Sequence, residues 1–169
     1  ILAAMRRLPQ YIANLKHGAW QQAGLKSASM PANFGIGSVL RGKTLGIWGY
    51  GRIGQIVAGC GRAFGMNVRI WGSESSRAQA LSDGFQAAVT QQDFFEQCDV
   101  VSLHLRLTPQ TKGLITLETL SCMKPTSLLV NTSRAELIEP DALLAGLNRG
   151  RPGMGSLSNT SMAAMPGRP

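Results

Sequence analysis

Leu45-Gly46-Ile47-Trp48-Gly49-Tyr50-Gly51-Arg52-Ile53-Gly54 is the stretch on which the fold turns. Thr44 to Trp48 is a short apolar run that ends at a glycine, the pattern of a buried strand. Arg52 to Phe64 then repeats apolar residues at helical intervals, which assigns Ile53, Ile56, Val57, Cys60 and Phe64 to one face. Between them lie three glycines spaced G-x-G-x-x-G. In that context each glycine has a use. Gly49 permits a tight turn, Gly51 lets backbone approach a pyrophosphate, and Gly54 lets helix and strand pack closely. The start of the helix offers free amides and the positive end of its dipole to phosphates. A purely structural turn could use the same glycines without any ligand. Gly59 and Gly61 lie in the same helix; each costs about 1 kcal/mol against alanine, and the sequence offers no reason for them.

Outward from this core the chain alternates. Asn67 to Trp71, Phe85 to Val89, Val100 to Leu105 and Ser127 to Asn131 read as further strands. Ser75 to Ser82, Gln91 to Gln97, Leu117 to Met123 and Pro140 to Asn148 read as helices. Strand and helix in strict alternation predict an α/β fold, a doubly wound parallel sheet covered on both faces. Residues 2 to 17 form one helical pattern through Leu2, Met5, Leu8, Ile12 and Leu15, which Pro9 should kink or break. Residues 18 to 41 show no period. From Arg151 to Pro169 periodicity is lost again, and a poorly ordered tail is expected.

Composition narrows the function. The chain has 169 residues, 44% hydrophobic and 15% charged, which suits one globular domain. No run approaches the ~20 apolar residues of a membrane span. No leader is visible, and a chain opening on Ile1 reads as one begun in mid-protein. Cys60, Cys98 and Cys122 match no metal spacing, so they are expected to be reduced thiols of a cytoplasmic protein, with no metal site. The net charge of +8 is scattered, without basic runs interleaved with aromatics, which argues against nucleic acid. Gly37 to Thr44 fits the formula G-x-x-x-x-G-K-[ST], but a loop precedes it and a strand follows, the reverse of what a phosphate loop needs. Asn131-Thr132-Ser133 is read as a chance glycosylation pattern.

An acidic residue normally ends the second strand of such a fold and takes the ribose hydroxyls. Here the strand ends Ile70-Trp71-Gly72-Ser73-Glu74, with Gly72 or Ser73 at the expected position and Arg77 close by. Glu74 either serves the ribose or is an ordinary first-turn acid favoured by the helix dipole. The expected consequence is weak discrimination between NAD and NADP, within about tenfold.

Several segments together resemble the D-2-hydroxyacid dehydrogenases, the family that includes phosphoglycerate dehydrogenase. They are Leu45 to Gly54, Leu103 to Ile115, Met123-Lys124-Pro125 and Leu129 to Ile138, in the family's order, within a match over residues 1 to 154. The resemblance implies a Rossmann domain over 41–150, an interdomain helix and connection over 1–40, and an aberrant, disordered tail over 151–169. The substrate domain is then largely missing. It also implies an NAD-dependent oxidoreductase, NADP being possible, that transfers hydride between nicotinamide and a small 2-hydroxy or 2-oxo acid. Arg134 matches the family's substrate-binding arginine and is the candidate catalytic residue. Gly49, Gly51, Arg52, Ile53, Gly54, Ser73, Leu105, Thr132 and Ser133 are the candidate cofactor residues. A homodimer, with residues 1–40 at the subunit contact, is also implied.

Two departures stand out. Arg106 replaces a frequent proline, so its loop should differ. Past Met154 the family's acidic segment and catalytic histidine do not follow, and no Asp, Glu or His occurs from Gly155 to Pro169. A frameshift or scrambled terminus would explain that, and an intact reading frame through codon 155 would refute it. His104 matches a non-catalytic position. The competing reading is a non-catalytic module that binds dinucleotide or dimerises.

Overall fold

The computed structural model describes residues 1–16 and 37–157, grouped in two compact units, Ile1–Leu40 and Arg41–Pro169. The expected connection over 18–41 lies mostly outside the described residues. In the first unit the helical pattern over 2–17, expected to kink or break at Pro9, is two pieces, α1 (Leu2–Met5) and α2 (Leu8–Lys16). The break falls at Arg6 and Arg7, where Arg7 takes a φ of 54°. Pro9 sits in the first turn of α2, where a missing N–H breaks no intrahelical bond. Leu8, Ile12 and Leu15 of α2 are all exposed.

The second unit contains β1 (Thr44–Trp48), α3 (Arg52–Ala63), β2 (Asn67–Trp71), α4 (Glu74–Ser82), β3 (Gln86–Ala87), α5 (Gln91–Gln97) and β4 (Val100–Leu103). After these come α6 (Leu117–Ser121), β5 (Leu128–Asn131), a 3-10 turn at Ala135–Leu137, α7 (Ala142–Asn148) and β6 (Met154–Leu157). The strands form one all-parallel sheet in the order β3-β2-β1-β4-β5-β6. Neighbouring residues in a strand point to opposite faces. Leu45, on one face, meets α3, while Gly46, on the other, lies against Phe94 and Cys98 of the α5 region. The second face carries the larger cluster: Trp48, Phe94, Phe95, Val101, Leu103 and Leu129 pack with Leu120, Met123 and Leu143. Gly46 has no room for a side chain, since a Cβ there would come within 2.7 Å of the Phe94 ring.

Two expectations are corrected. The apolar stripe of α3 does not face the core: Ile53, Ile56 and Phe64 are 65%, 62% and 49% exposed. The buried face is Gly54, Ala58 and Gly61. Small residues let the helix backbone lie directly on the sheet, a gain in contact that side-chain hydrophobicity does not report. This accounts for Gly61, whose Cβ would stand 2.6 Å from Leu45 Cδ2 and 3.2 Å from Val68 Cγ2. Gly59 faces open space. Gly59→Ala is therefore expected to stabilise the domain by about 1 kcal/mol. Gly61→Ala is expected to destabilise it by about 1–3 kcal/mol through overpacking. Urea midpoints shifting in the same direction for both variants would contradict this packing.

The second correction concerns the end of the chain. The disordered tail was expected from Arg151, yet Met154–Leu157 pairs in parallel with Leu128–Asn131 as β6. The Arg151 guanidinium also donates to the Met123 carbonyl oxygen at 2.8 Å. Backbone hydrogen bonds hold this edge strand, and they need no side-chain pattern. The rest of the expected tail, 158–169, lies outside the described residues.

Candidate dinucleotide site

The sheet order reverses between β1 and β4, and in open α/β sheets such a reversal opens a crevice beyond the carboxyl ends of the strands. Every candidate site residue lies on that edge. Gly49 follows β1 with a φ of 100°, and its amide donates to the Trp71 carbonyl oxygen at 2.9 Å. A Cβ on Gly49 would stand 2.8 Å from the His104 carbonyl oxygen and 3.3 Å from Leu105 Cδ2, so the turn is pressed against the end of β4. A Cβ on Gly54 would run into the Gly49 carbonyl oxygen.

Gly51 differs from both. It is the N-cap of α3, and nothing lies within 4 Å of where its Cβ would be. The opening amides of a helix lack intrahelical partners, and Gly51 has no side chain to satisfy them. Open space above unpaired amides at a positive helix end is a cradle for a phosphate. Arg52 and Ile53, both exposed, stand at its rim. Tyr50, unassigned from sequence, anchors the turn. Its ring is buried edge-on to Phe85, and its hydroxyl donates to Asp83 Oδ2 at 2.8 Å. Burial first, and the neighbouring Asp83 carboxylate second, push its pKa up to about 12.

At the end of β2, Ser73 is the N-cap of α4. Its hydroxyl accepts from the Ser76 amide at 3.3 Å and bonds the Ser75 and Ser76 hydroxyls at 3.0 Å. Gly72 is next to the glycine turn: a Cβ there would stand 3.8 Å from Gly49 N. Glu74 is exposed in the first turn of α4.

Beyond β4, the His104 amide continues the ladder to the Trp48 carbonyl oxygen at 2.8 Å. Its ring Nε2 meets the buried Ser102 hydroxyl at 2.9 Å. Burial lowers the His104 pKa, which favours the neutral imidazole. Leu105 packs against the main cluster. The loop after exposed Arg106 closes on the Thr111 hydroxyl, which donates to the Arg106 carbonyl oxygen at 2.7 Å and accepts from the Thr108 amide at 2.8 Å.

Beyond β5, the fully buried Asn131 side chain holds the next three residues. Its Nδ2 donates to the Arg134 carbonyl oxygen at 2.9 Å, and its Oδ1 accepts from the Ser133 amide at 3.0 Å. The Ser133 hydroxyl donates across to the Leu103 carbonyl oxygen at 3.0 Å. Asn131 was missed from sequence, although an Asn at a strand end before Thr-Ser is itself an Asx-turn signal. Thr132 is exposed, and so is Arg134. Among the described residues the Arg134 guanidinium donates only to the Ser133 carbonyl oxygen, at 3.4 Å. The ion pairs among the described residues are Arg69–Asp93 and Lys124–Asp99, so Arg134 is not neutralised by a carboxylate. Arg52, Arg106 and Arg134 make this edge attractive to anions. Among the described residues no cluster of His, Cys, Asp and Glu could hold a metal. The P-loop-like residues do not form that motif: Arg41 and Gly42 turn directly into strand β1.

A parallel sheet in this order, with a glycine cradle at its reversal point, defines a dinucleotide-binding Rossmann domain. Residues 1–157 match the model of the D-isomer-specific 2-hydroxyacid dehydrogenase NAD-binding domain, and the chain belongs to that family. A solved oxidoreductase from Ralstonia solanacearum, named for D-3-phosphoglycerate dehydrogenase, is 62% identical with a TM-score of 0.84, covering 92% of this chain and 46% of that one. Glyoxylate reductase of Aeropyrum pernix is 38% identical over 150 residues, 89% of this chain and 44% of its own. An acyclic imino acid reductase solved with NADPH and D-Arg is 31% identical with a TM-score of 0.73, covering 92% and 46%. The chain thus spans less than half the length of each. No described helix is long and apolar enough to cross a membrane.

Proposed function

We propose that this chain is the cofactor-binding part of an NAD-dependent enzyme that interconverts a 2-hydroxy acid and its 2-oxo acid. The single observation that carries the reading is the pairing, on one sheet edge, of the open amide cradle at Gly51 with the unneutralised guanidinium of Arg134. The nicotinamide supplies or accepts the hydride. Gly49, Gly51 and Gly54 shape the pyrophosphate cradle, with Arg52 and Ile53 at its rim, and Ser73, Leu105, Thr132 and Ser133 border the rest of the cofactor. Arg134 holds the substrate carboxylate with paired, charge-assisted hydrogen bonds and polarises the oxygen on C2. Asn131 positions Arg134 by fixing the backbone beneath it. His104 stays neutral and structural.

NADP is accepted beside NAD, a reading supported by the imino acid reductase held with NADPH and by the missing carboxylate after Trp71. The protein works as a cytoplasmic homodimer, residues 1–40 lying at the contact; the exposed apolar residues of α2 support this. One experiment tests these points together. Analytical ultracentrifugation of the purified chain with NADH or ATP is expected to show a dimer that carries NADH and not ATP. Binding of ATP alone would restore the P-loop reading. A monomer that binds NADH would remove the dimer and leave the cofactor site.

A further inference from the structure

We propose that Tyr50 is a positioning residue for the cofactor: its hydroxyl, bonded to Asp83, holds the glycine turn in the shape that receives the pyrophosphate. This rests on the dinucleotide reading of the Gly51 cradle. Tyr50 stands between Gly49 and Gly51, and glycine has more backbone freedom to lose on ordering than any other residue. The Tyr50 residue between them is nevertheless held at both ends. Its carbonyl oxygen accepts from Gln55 Nε2 at 3.3 Å. Its side chain is buried and reaches the far ends of two helices. Phe85, edge-on to the Tyr50 ring, lies under the guanidinium of Arg62 from the last turn of α3. The hydroxyl donates to Oδ2 of Asp83, the C-cap of α4, at 2.8 Å.

Asp83 makes this more than packing. A carboxylate at a helix C-terminus is opposed by the helix dipole, so α4 itself gains nothing from an acid there. Both carboxylate oxygens are instead in use, Oδ2 by Tyr50 and Oδ1 by Gln79 Nε2 at 2.8 Å. Gln79, one turn earlier on α4, thereby fixes the orientation in which Asp83 meets the hydroxyl. Hydrogen bonds to a carboxylate are stronger than those between neutral groups. The unpaired amides at the start of α3 follow Tyr50 directly in the chain, so the direction of its peptide aims them. A turn set before the cofactor arrives loses little entropy on binding.

The test is fluorescence titration of the whole chain with NADH, well below the melting temperature of each variant. The variants are Tyr50→Phe, Asp83→Ala, Asp83→Asn and the double variant Tyr50→Phe with Asp83→Ala. Tyr50→Phe keeps the ring against Phe85 and loses only the hydroxyl; its dissociation constant is expected to rise about tenfold, the scale of one hydrogen bond to a charged group. Asp83→Ala is expected to lose a similar amount. The double variant is expected to bind no more weakly than the weaker single one, because both changes remove the same bond. Asp83→Asn keeps a carbonyl oxygen for the hydroxyl and is expected to bind more tightly than Asp83→Ala. A bond that only stabilised the fold would lower the melting temperatures and leave the dissociation constants alone. Unchanged affinity in whichever of Tyr50→Phe and Asp83→Ala folds overturns the assignment. So do losses that add in the double variant, or Asp83→Asn binding no better than Asp83→Ala. A native chain that binds no NADH overturns the dinucleotide reading itself, and this assignment with it.

Discussion

Gly51→Val is expected to abolish NADH binding in a chain that still folds. Gly51 has a φ of −82° and a ψ of −169°, an extended conformation open to any residue. Apart from its chain neighbours, nothing lies within 4 Å of its Cβ position, so the start of a side chain is accommodated there. The fold loses only a favourable cap, a change of up to about 1 kcal/mol. The site loses much more. The added methyl groups stand beside the helix amides, in the space a pyrophosphate must enter. Circular dichroism and a thermal melt would establish the fold, and NADH fluorescence would measure binding. Unchanged affinity in folded Gly51→Val would falsify the cradle. The neighbouring glycines are unsuitable for this test. A side chain on Gly54 meets the Gly49 carbonyl oxygen, and one on Gly49 meets the His104 carbonyl oxygen, so those variants lose structure first.

The 169-residue polypeptide is expected to bind cofactor and yet to turn over little or no substrate. Arg134 can hold a carboxylate, but reduction of a 2-oxo acid also needs a proton for the new hydroxyl. A positioned acid contributes typically about 10²–10⁴-fold. His104 is the histidine among the described residues, and it is poorly suited. Its ring is tied to Ser102, and burial holds its pKa below the ordinary value, which disfavours the imidazolium a general acid would need. The same shift has a sign for stability. The contribution of neutral His104 is complete above the ordinary histidine pKa of about 6.5 and is lost as pH falls through its lowered folded value. The measurement is cofactor absorbance after mixing the chain with NADH and pyruvate, glyoxylate, hydroxypyruvate or phosphohydroxypyruvate. Rates on the order of 1–10³ s⁻¹ would show that an acid is present, and His104→Ala would be the first variant to make.

Much of this was legible in the residues. Strands buried on both faces read as continuous apolar runs, so Thr44 to Trp48, Val100 to Leu105 and Ser127 to Asn131 announce a parallel sheet. Gly49, Gly51 and Gly54 announce the turn because only a strand before and a helix after give that spacing its use. The alternation in chain order leaves few topologies, and right-handed crossovers select among them. Sequence by itself therefore determined the fold class and the family, and it placed the candidate site residues after the carboxyl ends of the strands.

Tertiary structure decided the rest. Which face of α3 is buried follows from how closely its backbone can approach the sheet, so Gly54, Ala58 and Gly61 lie inward and the apolar stripe lies outward. β6 exists because β5 offers an unpaired row of backbone groups, which accepts Met154–Leu157 regardless of its side chains. Asn131 clamps Ser133 and Arg134 through one directional hydrogen bond each, and these depend on backbone geometry after a strand. Arg77 meets Trp71 only because a helical turn returns the chain to the end of β2. Periodicity records how much apolar surface each segment carries. It does not record distances between segments, and each of these four features is a distance.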